Sequence, residues 1–238
     1  MNRDDLIKCS IFYDGDYNKI KNAFVNNEII ESNKIVDNAI TILDENYPAN
    51  FLQLKDPPFV LYYKGNLELL KRDCIAVVGS RMACEYALQA TKGLVMNNND
   101  KVIVSGLAKG IDAMAHRYAS KTIGILGCGI DYKYPYCNYD LIKKVEKEGL
   151  LLSEYPFLSK PYPYRFPFRN RLIAALASKI YIMQSKLNSG TMTTINQGLE
   201  LGREIKVLPY SIFDENGINN NNLIYEGADL ILKNEIAF

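Results

Sequence analysis

KVIVSGLAKGIDAMAH, residues 101–116, has the sequence pattern from which the fold of this chain can be predicted. It opens with an apolar, β-branched run, turns at two glycines, Gly106 and Gly110, and continues in small and apolar residues that favour a helix. A strand that is apolar on both faces and leads through a glycine turn into a helix is typical of parallel α/β sheets. The stretch therefore predicts one βα unit of such a sheet.

The same pattern recurs on both sides of this stretch. The apolar runs of strand length are IAVVG (75–79), KVIVSG (101–106), TIGILG (122–127), LLLSEYP (150–156), KIYIMQ (179–184) and IKVLP (205–209), after a short strand candidate, FVLYYKG (59–65). Segments long enough for helices lie at 83–97, 109–120, 138–148, 167–178 and 190–202. This alternation predicts an α/β fold, with a doubly wound, Rossmann-like and mostly parallel sheet.

The chain changes character near residue 55. Residues 1–50 are rich in Asn, Asp, Lys and Ile and have only weak helical periodicity. They predict a reduced N-terminal helical segment, which precedes a Rossmann-like domain at residues 51–238. The sequence contains no apolar run of the length that a signal peptide or a membrane span requires, so we expect a cytoplasmic protein without a membrane partner.

Composition limits the possible functions. The 238 residues carry a formal net charge of +1, which argues against a globally basic nucleic-acid binder and leaves only a local patch for that role. One candidate patch is residues 160–171, which hold four basic side chains and no acidic one. The five cysteines are never spaced as CxxC and there is one histidine, so we expect reduced thiols, no metal site and no cofactor.

The turns that follow the predicted strands point to phosphate binding. They read VVGSR (77–81), VSGLAKGID (104–112), LGCGIDYKYP (126–135), SEYP (153–156) and QSKLNSGT (184–191). Ligands of parallel sheets bind outside the carboxyl ends of the strands, where glycine lets backbone N–H groups approach an anion and each helix N-terminus adds partial positive charge. We therefore expect a phosphate-binding rim there.

Signatures of common enzyme classes are absent from the sequence. It has no GxxxxGK[ST] and no GxSxG, and LGCGIDYK supplies GxG without the third glycine of the dinucleotide fingerprint. Asp112 and His116 are four residues apart on a predicted helix and can share one face. They form either a catalytic dyad or, more simply, hydrogen bonds at the beginning of the helix. We assign no catalytic residue.

Six motifs, in this order, carry a family resemblance: GSR (79–81), SGLAKGIDAMAH (105–116), LGCGID (126–131), SEYP (153–156), FPFRNRLIAALA (166–177) and SGTMTT (189–194). Together they resemble the DNA-processing protein A family, also called Smf, over roughly residues 41–232. The resemblance implies an extended Rossmann-like domain that binds single-stranded DNA. It further implies protection of incoming strands in natural transformation, loading of a RecA-type recombinase, a homodimer, and no catalysis.

Matched position by position, the resemblance assigns DNA contacts to four elements of the rim. They are Gly79, Ser80 and Arg81 after the first strand; Ser105, Gly106 and Lys109 in the second turn; Phe166, Arg169, Asn170 and Arg171 in the FPFRNR element; and Ser189, Gly190 and Thr191 in the last turn.

Structural alternatives remain open for several of these residues. Arg81 either contacts DNA or pairs with Glu85, and Asn170 either contacts the ligand or caps a helix. Arg169 and Arg171 cannot share one helical face, so one of them is expected to reach the ligand and the other a carboxylate such as Glu154. The phenylalanines of FPF either pack in the core or stack on bases.

Some positions depart from the family pattern. Lys109 replaces an arginine of the SGLARGID form, YIMQ (181–184) replaces VVEA, and LPY (208–210) replaces VPG. We also expect no winged-helix domain after Phe238. The apolar stretches 205–213 and 220–232 are candidates for a dimer surface, although core burial explains most of their apolar character equally well.

Two rival functions belong to other classes. Related Rossmann-like enzymes hydrolyse nucleotide N-glycosidic bonds with a PGGxGT turn and a following glutamate; here the turn reads NSGTMTTINQGLE, with Glu200 nine residues after Thr191. Alternatively, the glycine rim holds a free mononucleotide in a sensing or scaffold protein.

Overall fold

A computed structural model describes residues 1–32, 36–187 and 189–237 and places nine strands in one sheet. The strands are β1 (Ala39–Thr41), β2 (Val60–Gly65), β3 (Cys74–Gly79), β4 (Val102–Ser105), β5 (Thr122–Leu126), β6 (Leu150–Ser153), β7 (Lys179–Gln184), β8 (Glu204–Val207) and β9 (Asp229–Leu230). The helices are α1 (Arg3–Phe12), α2 (Tyr17–Val25), α3 (Glu85–Asn97), α4 (Ile111–Tyr118), α5 (Tyr139–Glu148), α6 (Arg165–Leu176), α7 (Gly190–Glu200) and α8 (Ile218–Tyr225).

The strand order confirms the doubly wound fold. Across the sheet it is β1-β2-β6-β5-β4-β3-β7-β8-β9, and all neighbours from β6 to β9 are parallel. The chain runs outward from β3 to β6 and then crosses back through α6, so that β7 pairs with the other side of β3. The order thus reverses between β3 and β7, and such a reversal opens a crevice at the carboxyl ends of the two strands.

Helices cover both faces of the central strands, as continuous apolar strands require. On β3, Ile75 and Val77 pack against α3 and α4, whereas Ala76 and Val78 pack against α6. Alternate side chains of this strand therefore pack into two separate cores, one on each face of the sheet. The five predicted helices begin and end within two residues of the observed α3 to α7.

The N-terminal segment is part of the same sheet. The predicted helical character corresponds to α1 and α2, whose Leu6 and Ile20 share a core with Tyr62 and Leu151 of the sheet. However, β1 precedes residue 50 and pairs antiparallel with β2, Ile40 lying opposite Leu61. The sheet therefore continues across the predicted boundary at residue 50.

In the described part of the chain, the longest helix is α3, with 13 residues. A membrane-spanning helix needs about 20, and none of the described helices is both long and apolar enough to cross a bilayer.

Candidate nucleic-acid interface

A cleft of about 530 Å³ lies at the point where the strand order reverses. Its walls are the turn after β3, the loop between β4 and α4, the first two turns of α6 and the start of α7. This is the location that the sequence predicted for a phosphate-binding rim, because the turns after parallel strands meet at one edge of the sheet.

The β4–α4 loop is fixed by its glycine and by two polar side chains. Gly110 has φ +71°, and a Cβ there would lie 2.2 Å from the carbonyl oxygen of Ser80, so only glycine fits. The Asp112 carboxylate accepts hydrogen bonds from the N–H groups of Gly106 (3.1 Å) and Ala108 (3.4 Å). The Ile111 N–H donates to the Ser80 carbonyl (3.2 Å), which holds the loop against the turn that follows β3.

His116 supports the same loop from beneath. Its Nε2 accepts a hydrogen bond from the Leu107 N–H (3.3 Å), so the proton is on Nδ1, which lies 2.6 Å from Thr122 Oγ1. Burial lowers the pKa of His116 to about 3. Burial likewise raises the pKa of Asp112, against the opposing effects of Arg169 and of its two backbone donors. Asp112 and His116 each accept hydrogen bonds from backbone N–H groups of the loop. This agrees with the hydrogen-bonding role that the sequence offered as the alternative to a catalytic dyad.

The opposite wall is the start of α7. Asn170 donates from Nδ2 to the Gly190 carbonyl (3.0 Å) and to Thr193 Oγ1 (2.9 Å), which ties α6 to this helix. The Ser189 hydroxyl is buried and has no hydrogen-bond partner among the described residues. An unpaired hydroxyl beside a helix N-terminus is suited to donate to an anion in the cleft.

Three cationic side chains at the cleft are exposed: Arg81, Lys109 and Lys186. None of them has an ion pair within the described residues, and the alternative pairing of Arg81 with Glu85 does not occur there. Lys186 was absent from the predicted site. The signal that could have found it is a positive charge in the turn directly after β7, whereas Arg81 was assigned from the family resemblance.

Arg169 forms the floor of the cleft. It is buried, and its guanidinium donates to the carbonyl oxygens of Gly106 (3.0 Å) and Ile125, at the ends of β4 and β5. A Cβ on Gly106 would lie 2.5 Å from Arg169 Nη2, so the glycine makes room for this side chain. Burial lowers the pKa of Arg169. The residue lies in the cleft as predicted, but its Nη1 is committed to two backbone carbonyls and its Nε to the Asn170 side chain (3.2 Å).

Arg171 does not reach the cleft. Its guanidinium makes two 2.6 Å bonds to the Glu154 carboxylate and also donates to the Asp56 carbonyl (2.9 Å). Residues two apart on a helix differ by about 200° in direction, which puts Arg169 and Arg171 on different faces of α6. The predicted phosphate contact of Arg171 is therefore replaced by the Glu154 pairing that the sequence left open.

Arg165, the third arginine of this element, is also buried. It pairs with Asp14 (2.9 Å) and donates to the Lys160 carbonyl (3.1 Å). Two of the four basic side chains of residues 160–171, Arg165 and Arg171, are thus paired with carboxylates from other parts of the chain. This corrects the interpretation of the stretch as a free basic patch.

Ser105 and Gly106 shape the floor and are not exposed for contact. Ser105 ends β4, is buried, and donates from Oγ to the Val77 carbonyl of the neighbouring strand (2.7 Å). Gly106 is covered by the Arg169 side chain. The predicted DNA contacts of these two residues are therefore replaced by support of the loop above them.

An aromatic pair lines the remaining wall. The Phe166 ring lies 5.6 Å from the Tyr134 ring, and the Arg81 guanidinium is 5.6 Å from the Phe166 centroid. A Cβ on Gly127 would lie 2.7 Å from Phe166 Cδ1, so the absence of a side chain at Gly127 leaves room for the Phe166 ring. Phe168, in contrast, is half-buried, with its ring centroid 3.7 Å from the Arg171 guanidinium and 5.6 Å from the Tyr17 ring. Of the two phenylalanines, Phe166 faces the cleft.

The predicted residues that the structure brings together at the cleft are Gly79, Ser80, Arg81, Phe166, Arg169, Asn170, Ser189, Gly190 and Thr191, with Lys109 in an adjoining recess. Asp112 is the one carboxylate among the described residues that line the cleft. The described residues contain no group of His, Cys, Asp and Glu side chains arranged to hold a metal ion. The surface is suited to hold an anion beside an aromatic face.

Comparison with known proteins gives consistent matches. The family model described as DNA recombination-mediator protein A matches residues 38–237. The DNA processing protein DprA of Streptococcus pneumoniae is 39% identical over 198 residues, which are 81% of this chain and 70% of that protein. Its counterpart in Bacillus subtilis is 38% identical over 208 residues, 84% of this chain and 70% of that protein.

Two solved structures share the fold. The X-ray structure of the Streptococcus pneumoniae protein aligns with a TM-score of 0.80 at 36% identity and covers 90% of this chain and 77% of that one. DNA processing protein A from Helicobacter pylori, described for its single-stranded DNA binding mode, aligns with a TM-score of 0.75 at 35% identity, covering 82% and 91%.

Proposed function

The chain belongs to the DNA recombination-mediator protein A family, and from that premise we propose that it binds single-stranded DNA in the cleft between β3 and β7. In this role it protects incoming strands in the cytoplasm and loads a RecA-type recombinase during natural transformation or recombination. The observation that carries the proposal is the cleft with its adjoining recess, where exposed cations from the turns before α3, α4 and α7 lie near an aromatic face.

Each part of the cleft matches one part of a nucleotide strand. Arg81, Lys109 and Lys186 supply charge for phosphates, and the Ser189 hydroxyl and the N-terminus of α7 supply neutral donors. Phe166 and Tyr134 offer faces for bases. Because the aromatic faces lie inside a concave cleft, a flexible strand with unstacked bases fits it and a stiff duplex does not.

A homodimer is part of the proposal. Ile212 and Phe213 are 84% and 89% exposed after β8, and Tyr225 on α8 is 93% exposed, close in the chain to the edge strand β9. These side chains belong to the apolar stretches 205–213 and 220–232. A second copy of the chain would bury them.

Glu200, the glutamate that the rival hydrolase function would require, lies away from the cleft. Glu200 is at the last turn of α7, roughly 15 Å along the helix from the cleft at its start. It lines a different groove, with Asp56 and Arg171. We therefore expect no release of free base from nucleoside monophosphates.

The proposal is tested by competition. A labelled 12-nucleotide strand bound to the protein should be displaced by unlabelled single strand at far lower concentration than by duplex or by nucleoside monophosphate of equal base content. Displacement by mononucleotide at equal phosphate concentration would favour the sensing function. Base release detected in the same reactions would favour the hydrolase.

A further inference from the structure

The segment that leads into α6 carries two tyrosines that the cleft does not use. Tyr162 and Tyr164 are 42% and 67% exposed, and their rings are nearly parallel, with an interplanar angle of 10° and centroids 5.8 Å apart. The prolines beside them, Pro161 and Pro163, line the cleft. The tyrosine pair is therefore continuous with the cleft wall.

The two rings are held from beneath by a fixed cation. The Arg165 guanidinium lies 4.9 Å from the Tyr162 ring and 6.0 Å from the Tyr164 ring, and it is anchored by Asp14 (2.9 Å). Backbone bonds add to this, because Tyr162 donates to Lys160 and Arg165 donates to Tyr162. The exposed rings are thus ordered before any ligand arrives, which lowers the entropy cost of binding.

Exposed, ordered aromatic rings are poorly explained by core packing. A core role would bury Tyr164, whereas two thirds of its surface is open. Parallel aromatic faces above a cation, with the exposed Lys160 nearby, suit a ligand that has flat rings and a negative backbone. A single-stranded nucleic acid has both.

We propose that Tyr162 and Tyr164 form a second base-stacking subsite, which receives the nucleotides of a single strand that extends out of the cleft past Pro161 and Pro163. The inference rests on the proposed function, since it needs a strand in the cleft. It predicts that affinity rises with strand length beyond what the cleft itself can hold.

Binding of labelled oligothymidines of 4 and 12 nucleotides separates the subsite from the cleft. The variant Tyr162→Ala/Tyr164→Ala should bind the 4-mer within about 2-fold of wild type and the 12-mer about 5- to 150-fold more weakly, the range for the loss of one stacked base. Tyr162→Phe/Tyr164→Phe should retain 12-mer affinity, because the rings remain. Tyr118→Ala is a matched control, since this tyrosine ends α4 at the opposite end of the helix from the cleft.

Three results would overturn the inference. One is 12-mer binding at wild-type affinity by a folded Ala variant. Another is an equal loss for both lengths, which would mean that the tyrosines only shape the cleft. The third is loss of 12-mer binding in the Phe variant. A wild-type protein that binds neither strand would instead refute the proposed function, so the two failures are distinguishable.

Strands with 5-iododeoxyuridine outside the cleft should cross-link to Tyr162 or Tyr164.

Discussion

Arg169 and Arg171 are two residues apart on α6, and their surroundings give them different roles. Arg169 reaches the carbonyl ends of β4 and β5 at the floor of the cleft, whereas Arg171 pairs with a carboxylate on the other side of the helix. The two arginines of the motif FPFRNR therefore mainly connect α6 to neighbouring parts of the fold. The exposed positive charge at the cleft comes from other turns.

We expect Arg171→Ala to lower the free energy of unfolding by about 3–5 kcal/mol, because it leaves the buried Glu154 carboxylate without its partner. Urea denaturation checks this. The double variant Arg171→Met/Glu154→Leu, which removes both charges, should recover most of the loss. If Arg171→Ala were as stable as wild type and bound DNA more weakly, Arg171 would instead be a phosphate contact, as the family resemblance implied.

At the scale of elements, the glycine turns and apolar runs were sufficient to predict β3 to β8 and α3 to α7, since each has a period and length that differ from its neighbours. Strand β1 was missed because three residues carry no periodicity and form a strand only by pairing with β2. The burial of Arg165 was missed for a related reason, as its partner Asp14 is 151 residues away in the sequence. Local patterns cannot supply such partners.

The β4–α4 loop gives a pH dependence that rests on the only histidine in the chain. Burial lowers the pKa of His116 to about 3, while its unfolded value is near 6.5, so below pH 6.5 the unfolded state binds a proton that the folded state rejects. This His116 contribution should therefore lower stability by about 1.4 kcal/mol as the pH falls from 7.5 to 5.5, whereas the raised pKa of Asp112 acts in the opposite direction. Urea titrations at both pH values measure it.

The control is His116→Gln, which should be less stable at pH 7.5 because it disturbs the bonds to Leu107 and Thr122. Relative to wild type, its stability should lack the decrease of about 1.4 kcal/mol between the two pH values. An unchanged pH dependence in this variant would refute the assignment to His116.

At the scale of the whole molecule, the proposed dimer should depend on the exposed apolar side chains near β9. Phe213→Glu introduces charge into that surface and should shift sedimentation at micromolar concentration from about twice the chain's mass to the monomer. Phe12→Glu, on exposed α1 at the other edge of the sheet, should leave the assembly unchanged. A monomeric wild-type protein that still binds DNA would contradict the dimer.

If the three exposed cations at the reversal of strand order hold the phosphates of a single strand, binding to a labelled 12-nucleotide strand should weaken as the salt concentration rises. The slope of log affinity against log salt should be about −2 for wild type, near −0.7 for each contact. For Arg81→Ala/Lys186→Ala it should be about −0.7, with weaker binding of all sequences alike.

Arg117→Ala/Lys147→Ala removes the same charge from the last turns of α4 and α5, at the opposite ends of these helices from the rim, and should keep the wild-type slope. Thermal melts of all three proteins establish that they fold. A slope near −2 in the Arg81→Ala/Lys186→Ala protein would contradict the claim and place the DNA elsewhere on the molecule.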